Sequence, residues 1–380
     1  MRQTIPYRAI IMKLAFIAVA SWTLPVSAVE FSGTGFLTIA AGKIIGGNVK
    51  GMNETGYNCP CQISDYSQAA VYEDGGVKFG PDSKLGFQGQ ATINDNLSFT
   101  AQVVSRGAQN GKGDLEWAYG SYALTPSTTL QFGRKRLPLF YYSETQDVGF
   151  SFPWLHLPPQ TYGWEAVNYN GMNLLHKDHL GSWATTLNAF VGTELRKNDP
   201  YQYLYSGKHY RIDTEWSDII GAEYLLSQDW IEGRVMYMKS NTRNKDVDSG
   251  NGWSPKKRQQ LFGASLVLTP GDWLIMSEIL LTNRKAYGGD FAGSFSVGHH
   301  FDKWLPMVTI AKYRQMVDAD KSDPFLMEHH TNLSLVLRYD LTSSSDIKVQ
   351  YDNWRDQSAP WFSSNYGYSR LITVSYDMVF

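Results

Sequence analysis

Two cysteines, Cys59 and Cys61, are all that 380 residues offer for cross-linking, so disulfides are not the scaffold of this chain. Past the first 28 residues no apolar run reaches the roughly 20 residues that a membrane helix needs. Any crossing of lipid must then use strands, because only helices and closed barrels satisfy every backbone polar group there. An excess of one charge is also missing: 34 Lys and Arg stand against 36 Asp and Glu, a formal net charge of -2. That balance carries no footprint of a nucleic-acid partner. The nucleophile and phosphate signatures G-x-S-x-G, G-x-x-x-x-G-K-[ST] and H-E-x-x-H are absent, and no catalytic residue, cofactor or metal is expected. Neither a domain boundary nor a low-complexity tract interrupts the chain. What is plentiful is aromatic and small: 23 Tyr, 18 Phe, 12 Trp and 34 Gly.

The two ends say where such a chain belongs. In the tail, Ile372, Val374, Tyr376, Met378 and Phe380 share one face of an extended strand, and Thr373, Ser375 and Asp377 share the other. An apolar, aromatic outer face ending on a terminal Phe resembles the closing strand of Gram-negative outer-membrane β-barrels. At the other end, Lys13 precedes the apolar run Leu14–Ala20, and Val26-Ser27-Ala28 supplies a small-residue cleavage site. Residues 1–28 are therefore expected to be a secretory signal peptide, cleaved after Ala28 during export through the periplasm to the outer membrane.

Between the ends, period-two alternation bounded by turn residues marks strands near 29–41, 84–93, 96–107, 113–124, 128–136, 163–176, 180–192, 210–226, 229–240, 257–269, 272–283, 290–301, 304–316, 330–341, 345–354 and 367–380. The fold class expected over 29–380 is all-β: a transmembrane antiparallel up-and-down β-barrel of about 16 strands, an even number as in single-chain bacterial barrels. Tight turns such as Asn94-Asp95-Asn96, Pro126-Ser127 and Pro270-Gly271 alternate with long connections at 42–83, 137–162, 193–209, 241–256, 317–329 and 355–366. The tight turns read as periplasmic and the long connections as extracellular.

The run Pro81–Gln90, the strand Gln102–Gly107 and the Gly133-Arg134 strand Leu130–Pro138 are similar to the early hairpins of the Gram-negative porin family. That resemblance implies a homotrimeric sixteen-stranded channel that passes small hydrophilic solutes and ions by diffusion. The acidic, Gly-rich constriction loop of general porins is not reproduced. In its place stands 137–162, with Phe140-Tyr141-Tyr142 and Phe152-Pro153-Trp154, too aromatic for solvent and expected to fold into the barrel.

Candidate pore-lining residues follow from charge and parity. A charge on the lipid face near the midplane costs roughly 2–4 kcal/mol, which places Arg106, Arg134, Arg136, Arg338 and Lys348 in the lumen, with Glu144 and Asp147 of the inward loop facing the arginines. Arg134 and Arg136 share a strand face and Lys135 takes the other; Phe132 shares the arginines' parity, so either it lies inside or a bulge resets the register. Tyr141, Tyr142, Trp154, Tyr162 and Trp164 read as packing rings before they read as a solute slide. Cys59-Pro60-Cys61 reads as a disulfide, since a metal site wants further ligands at short spacing and none is near. His299-His300 and His329-His330 read as rim-exposed side chains. A passive channel is the function expected, with no nucleic-acid partner. The alternatives are a structural or adhesive barrel with a plugged lumen, and an outer-membrane hydrolase using Ser182, Ser265 or Ser334.

Overall fold

In the computed structural model, residues 29–48, 51–284, 288–316, 328–359, 362 and 364–380 are described; the expected signal peptide, 1–28, and most of the connection 317–329 lie outside them. The strands are β1 (Glu30–Gly47), β2 (Gly51–Met52), β3 (Asn58–Cys59), β4 (Gln62–Asp65), β5 (Ala70–Tyr72), β6 (Lys84–Asn94), β7 (Leu97–Arg106), β8 (Gly113–Thr125), β9 (Thr128–Arg136) and β10 (Asn168–Leu180). They continue with β11 (Trp183–Arg196), β12 (Ile212–Gln228), β13 (Ile231–Asp246), β14 (Lys257–Leu268), β15 (Trp273–Arg284), β16 (Gly288–His299), β17 (Trp304–Met316), β18 (His329–Thr342), β19 (Ser345–Asp356) and β20 (Tyr368–Val379). β1 and β6–β20 form one closed, all-antiparallel barrel of 16 strands, sealed where β1 pairs with β20. Closure leaves no sheet edge, so each wall strand has a partner on both sides.

Alternation sorts the wall into two faces. Outward positions carry a continuous apolar band that includes Phe87, Phe99, Phe132, Leu174, Val235, Phe262, Phe295, Ile310, Leu335, Val349 and Val374, all exposed. Tyr122, Trp230, Trp273 and Trp304, beside the short turns, are exposed too. They form an aromatic girdle of the kind that marks a membrane interface. The start of β1 and the end of β20 lie at this short-turn end: Phe36 pairs with Val379, and the Phe380 amide donates to the Gly35 carbonyl at 2.9 Å. Gly35 has to be glycine there, because a Cβ would sit 2.4 Å from the Phe380 ring.

Strand bounds differ from the sequence reading mainly at the long-loop end. β1 runs on to Gly47 and β13 to Asp246, and β10 starts at Asn168 rather than near 163. Residues 163–167 alternate like a strand, but Trp164, Ala166 and Val167 are buried, and the segment belongs to the inward loop. Two long connections fold into the barrel. One is 48–83, with the hairpins β2–β3 and β4–β5; the other is 137–167, with the single turn α1 (Pro159–Tyr162).

Candidate functional site

The site is the interior, where loop 137–167 meets three different arcs of wall. On β11–β18 the inward side chains mix polar and apolar, and the apolar ones meet the rings of the loop. Phe190, Met236, Met238, Leu261, Met276, Leu280, Met307 and Val336 are buried in one cluster with Leu139, Phe140, Phe152, Trp154, Tyr162 and Trp164 of the loop. The indole of Trp154 donates to Thr309 at 2.7 Å, and the Tyr141 amide donates to Glu278 at 2.6 Å. Arg234 reaches from β13 to the carbonyls of Pro138 and Leu139. Parity and charge place arginines and a lysine on the inner wall; this arc adds an apolar surface, which the loop's rings need to cover.

On β19, β20 and β1 many inward residues are polar, beside the buried Phe36, Ile44 and Leu371, and with Arg338 the polar ones hold loop backbone. Lys348, with 0% side-chain exposure, donates to the Gly149 carbonyl at 2.6 Å and pairs with Asp377 at 3.2 Å. Arg338, next door on β18, donates to the carbonyls of Phe150 at 3.0 Å and Phe152 at 3.1 Å and pairs with Asp346 at 3.1 Å. Both side chains point into the barrel, yet the loop lies over them, so neither faces open water. Gly149 is a forced choice: a Cβ would stand 1.9 Å from the Asp377 carboxylate.

Arg106, Arg136 and Asp147 do meet. With Glu116 they form a buried quartet in which Arg106 pairs with Glu116 and Asp147, both at 2.7 Å, and Arg136 with Glu116 at 3.1 Å and with Asp147. The two guanidinium groups outweigh burial and hold the Asp147 carboxyl below the usual carboxylate range. Removing one member of such a set costs about 3–5 kcal/mol, because it strands a buried charge. The quartet is neutral and enclosed, so it works as a rivet between wall and loop. Arg134 stays apart from it. Phe132 faces outward, 40% exposed and edge-on to Phe99, and no bulge resets β9 between Leu130 and Arg134. Arg134 pairs instead with the buried Glu194 of β11 at 2.8 Å.

His156 makes a second rivet. Its Nδ1 lies 3.1 Å from Asp82 and its Nε2 3.2 Å from Asp352 of β19, joining the end of the first loop, the inward loop and the wall. Burial works against the imidazolium, but the flanking carboxylates prevail and hold its pKa up to about 10. At neutral pH the ring is a buried cation between two anions.

The third arc, β6–β10, is the least covered. Gln88 and Gln131 are half-buried, and Gln90 is exposed. Gln88 accepts from Gln102 at 3.1 Å, and Gln131 donates to Ser121 at 3.0 Å. Lys135, on the opposite face from Arg134, extends over the Tyr119 ring at 4.9 Å. Glu144, at the loop's bend, is exposed and within electrostatic reach of Lys135, Tyr119 and Tyr169. Of these two charges Glu144 borders open space, whereas Lys135 is buried and donates to Gln131.

Sequence reasoning missed Lys135, Glu116, Glu278 and the His156 clamp. Glu116 carries a signal only in hindsight, at a β-bulge that shifts register between Gln102 and Val103. Among the other candidates, Cys59 and Cys61 form a disulfide, Sγ to Sγ 2.01 Å, in a buried cluster with Tyr57, Ile63, Tyr66, Leu204 and Trp354. His330 is not at an exposed rim: it is 2% exposed and stacked against Tyr66, Tyr313 and Trp354. Ser265 donates to Glu278 at 2.9 Å, Ser334 to Asp352 at 2.6 Å, and Ser182 accepts from Gln228 at 2.8 Å. Among the described residues none of the three serines is hydrogen-bonded to a histidine.

Solved structures of outer-membrane proteins share the architecture. The outer membrane channel DcaP of Acinetobacter baumannii superposes with a TM-score of 0.58 at 11% identity, covering 93% of this chain and 98% of that one. The anion-selective porin from Comamonas acidovorans gives 0.57 at 10% identity over 93% and 100%. The trimer form of OmpT, an outer membrane protein of Vibrio cholerae, gives 0.54 at 10% identity over 93% and 100%. No family model matches the sequence, and neither does any curated protein sequence. At this identity the likeness is one of fold: a porin-like outer-membrane β-barrel.

Proposed function

We propose that the protein is a passive channel of the bacterial outer membrane that admits small hydrophilic solutes and ions. The observation that carries this reading is the uneven cover of the interior. Loop 137–167 is fastened to β11–β20 and β1, while on β6–β10 the polar side chains of Gln88, Gln90 and Gln131 stay partly or fully exposed. A sixteen-stranded barrel is too wide for wall side chains alone to fill, so a narrow passage along the uncovered arc is what remains. Glu144 borders it, and a charge beside a pore sorts solutes by sign.

A homotrimer in outer-membrane lipid goes with this reading. In its favour are the trimer form of the Vibrio cholerae protein and an apolar groove on the outer face of β1 and β6–β9, where Phe31, Phe99 and Phe132 flank Gly89, Ala91, Ala101 and Gly120. The secretory signal at 1–28 and the extracellular side of the long loops belong to the same proposal.

The depth of loop packing supports a second reading, a plugged barrel that only binds or braces. Single-channel recording of the purified protein in a planar bilayer separates the two. Stepwise conductance is the expected result; a folded protein that never conducts would leave the plugged barrel standing.

A further inference from the structure

We propose that the outer face of β19, β20 and β1 holds a phosphate-bearing lipid at the long-loop end, through Lys43, Arg355 and Arg370. All three side chains are exposed. Each belongs to the outward row of its own strand: Arg370 with Ile372 and Val374, Arg355 with Ile347 and Val349, and Lys43 with Ile39, all exposed apolar residues of the lipid band. Each cation stands on the long-loop side of those residues.

The register brings the three together. Arg370 is opposite Asn353 of β19 and Gly46 of β1. Arg355 lies two residues on from Asn353, and Lys43 is opposite Ile372, two residues on from Arg370. Arg355 and Arg370 are thus diagonal neighbours, about 7–8 Å apart at the backbone, and the cations step across three adjacent strands. Gly46 leaves room for the Arg370 guanidinium, which a Cβ there would approach to 2.6 Å, so this side chain lies against β1, the strand of Lys43.

No counter-charge is built into this face. Neither 31–53 nor 357–376 contains an aspartate or glutamate. Asp356, next to Arg355 in sequence, takes the other face by alternation and accepts from the amides of Ser358 at 2.9 Å and Tyr366 at 2.8 Å. Around the long-loop end of β12–β14 the basic residues are answered within the chain: Arg211 pairs with Asp248, Arg243 with Glu215 at 2.7 Å and Lys256 with Asp218 at 3.2 Å. Like charges on neighbouring strands repel, so a group left unanswered by its own chain calls for an anion from outside.

A lipid phosphate supplies that anion at the right height. Its acyl chains lie along Ile372, Val374 and Ile39, and its phosphate accepts charge-assisted hydrogen bonds from the guanidinium groups. A soluble anion has the charge and lacks the chains. The proposal rests on the barrel's place in a membrane and not on conduction.

Native mass spectrometry of the full barrel, released from nonionic detergent at low salt, tests it. Dioleoyl phosphatidic acid is the probe, dioleoyl phosphatidylcholine its zwitterionic match, and inorganic phosphate the bare anion. Phosphatidic acid is expected to load at least about tenfold more tightly than phosphatidylcholine, since each cation beside an anionic lipid is worth about fivefold in affinity. An equal concentration of inorganic phosphate should not displace it. The triple variant Lys43→Gln, Arg355→Gln, Arg370→Gln should load both lipids alike, whereas Arg211→Gln with Lys256→Gln should keep the parental preference. Heat-modifiable mobility on a gel checks folding, and Lys43→Gln with Arg370→Gln serves if the triple variant does not fold. Equal loading of the two lipids by the parental barrel, parental preference in a folded variant of the three cations, or displacement by inorganic phosphate overturns the site; none of these results bears on conductance.

Discussion

The arcs β6–β10 and β11–β18 belong to one closed sheet with one outward pattern, yet their inner faces differ in how much apolar surface they offer and how far the loop covers them. Along β11–β18 the wall offers Met236, Met238, Leu261, Met276, Leu280 and Met307, and the loop's rings cover them. Along β6–β10 it offers glutamine, asparagine, threonine and a buried ion quartet, and much of that face stays open. Lipid dictates the outer face of every strand alike, whereas the inner face is free to vary with whatever occupies it. Position in a barrel therefore says inside or outside; only the loop decides which inside positions become core and which become passage.

The largest test of that contrast removes an apolar anchor. Trp154→Ala takes away a side chain 3% exposed and its hydrogen bond to Thr309; truncations of this size cost about 3–5 kcal/mol. The loop is expected to loosen while the wall, whose strands are untouched, still assembles. Conductance should rise, and loop 137–167 should become open to protease in the folded barrel. Parental conductance and protection would mean that the polar arc alone holds the loop, which Gly149→Ala, aimed at the Asp377 contact, would then reveal.

Much of this was legible in the sequence. Alternation marked strands at 257–269 and 345–354, and the structure has them at Lys257–Leu268 and Ser345–Asp356. Outward residues are chosen by lipid one strand at a time, so a local pattern reports them. Lys348 and Arg338 show the limit. Parity turns them inward, but the carbonyls that cover them come from Gly149, Phe150 and Phe152, nearly 200 residues away, and no local pattern carries that. The apolar inner arc did leave a trace. Val235–Met238 and Ile279–Leu281 are apolar on both faces, which is out of place beside water and in place beneath an aromatic loop.

A smaller effect should come from pH, through the His156 clamp on the polar side. The folded pKa, about 10, lies above the ordinary histidine value of 6.5. The clamp's contribution is therefore fully present below about 6.5 and is lost as pH rises through about 10. Asp82 and Asp352 stay ionised across that window, and Lys84 and Tyr72 also face Asp82. The expected result is loop loosening, read as extra current noise, between neutral pH and about 10. His156→Gln should show that noise already at neutral pH and gain little more on alkalinisation. A parental protein as quiet at pH 10.5 as at pH 7 would show that the clamp contributes nothing to holding the loop.

The smallest effect tests the open arc itself. Glu144 is exposed beside the space that the loop leaves, with the buried Lys135 within electrostatic reach, whereas Arg106, Arg136 and Asp147 are enclosed and mutually neutralised. If ions pass between loop and β6–β10, Glu144→Gln removes the one loop carboxylate they meet there. The reversal potential in a salt gradient should then move toward anions, and Lys135→Gln should move it toward cations. Screening lengths of about 10 Å at 0.1 M and 3 Å at 1 M make the shift larger at low salt. Arg134→Gln, at a side chain tied to Glu194 and apart from Glu144, should leave the potential where it was. Should Arg134→Gln shift selectivity while Glu144→Gln does not, the ions take another route, and the uncovered arc is not the passage.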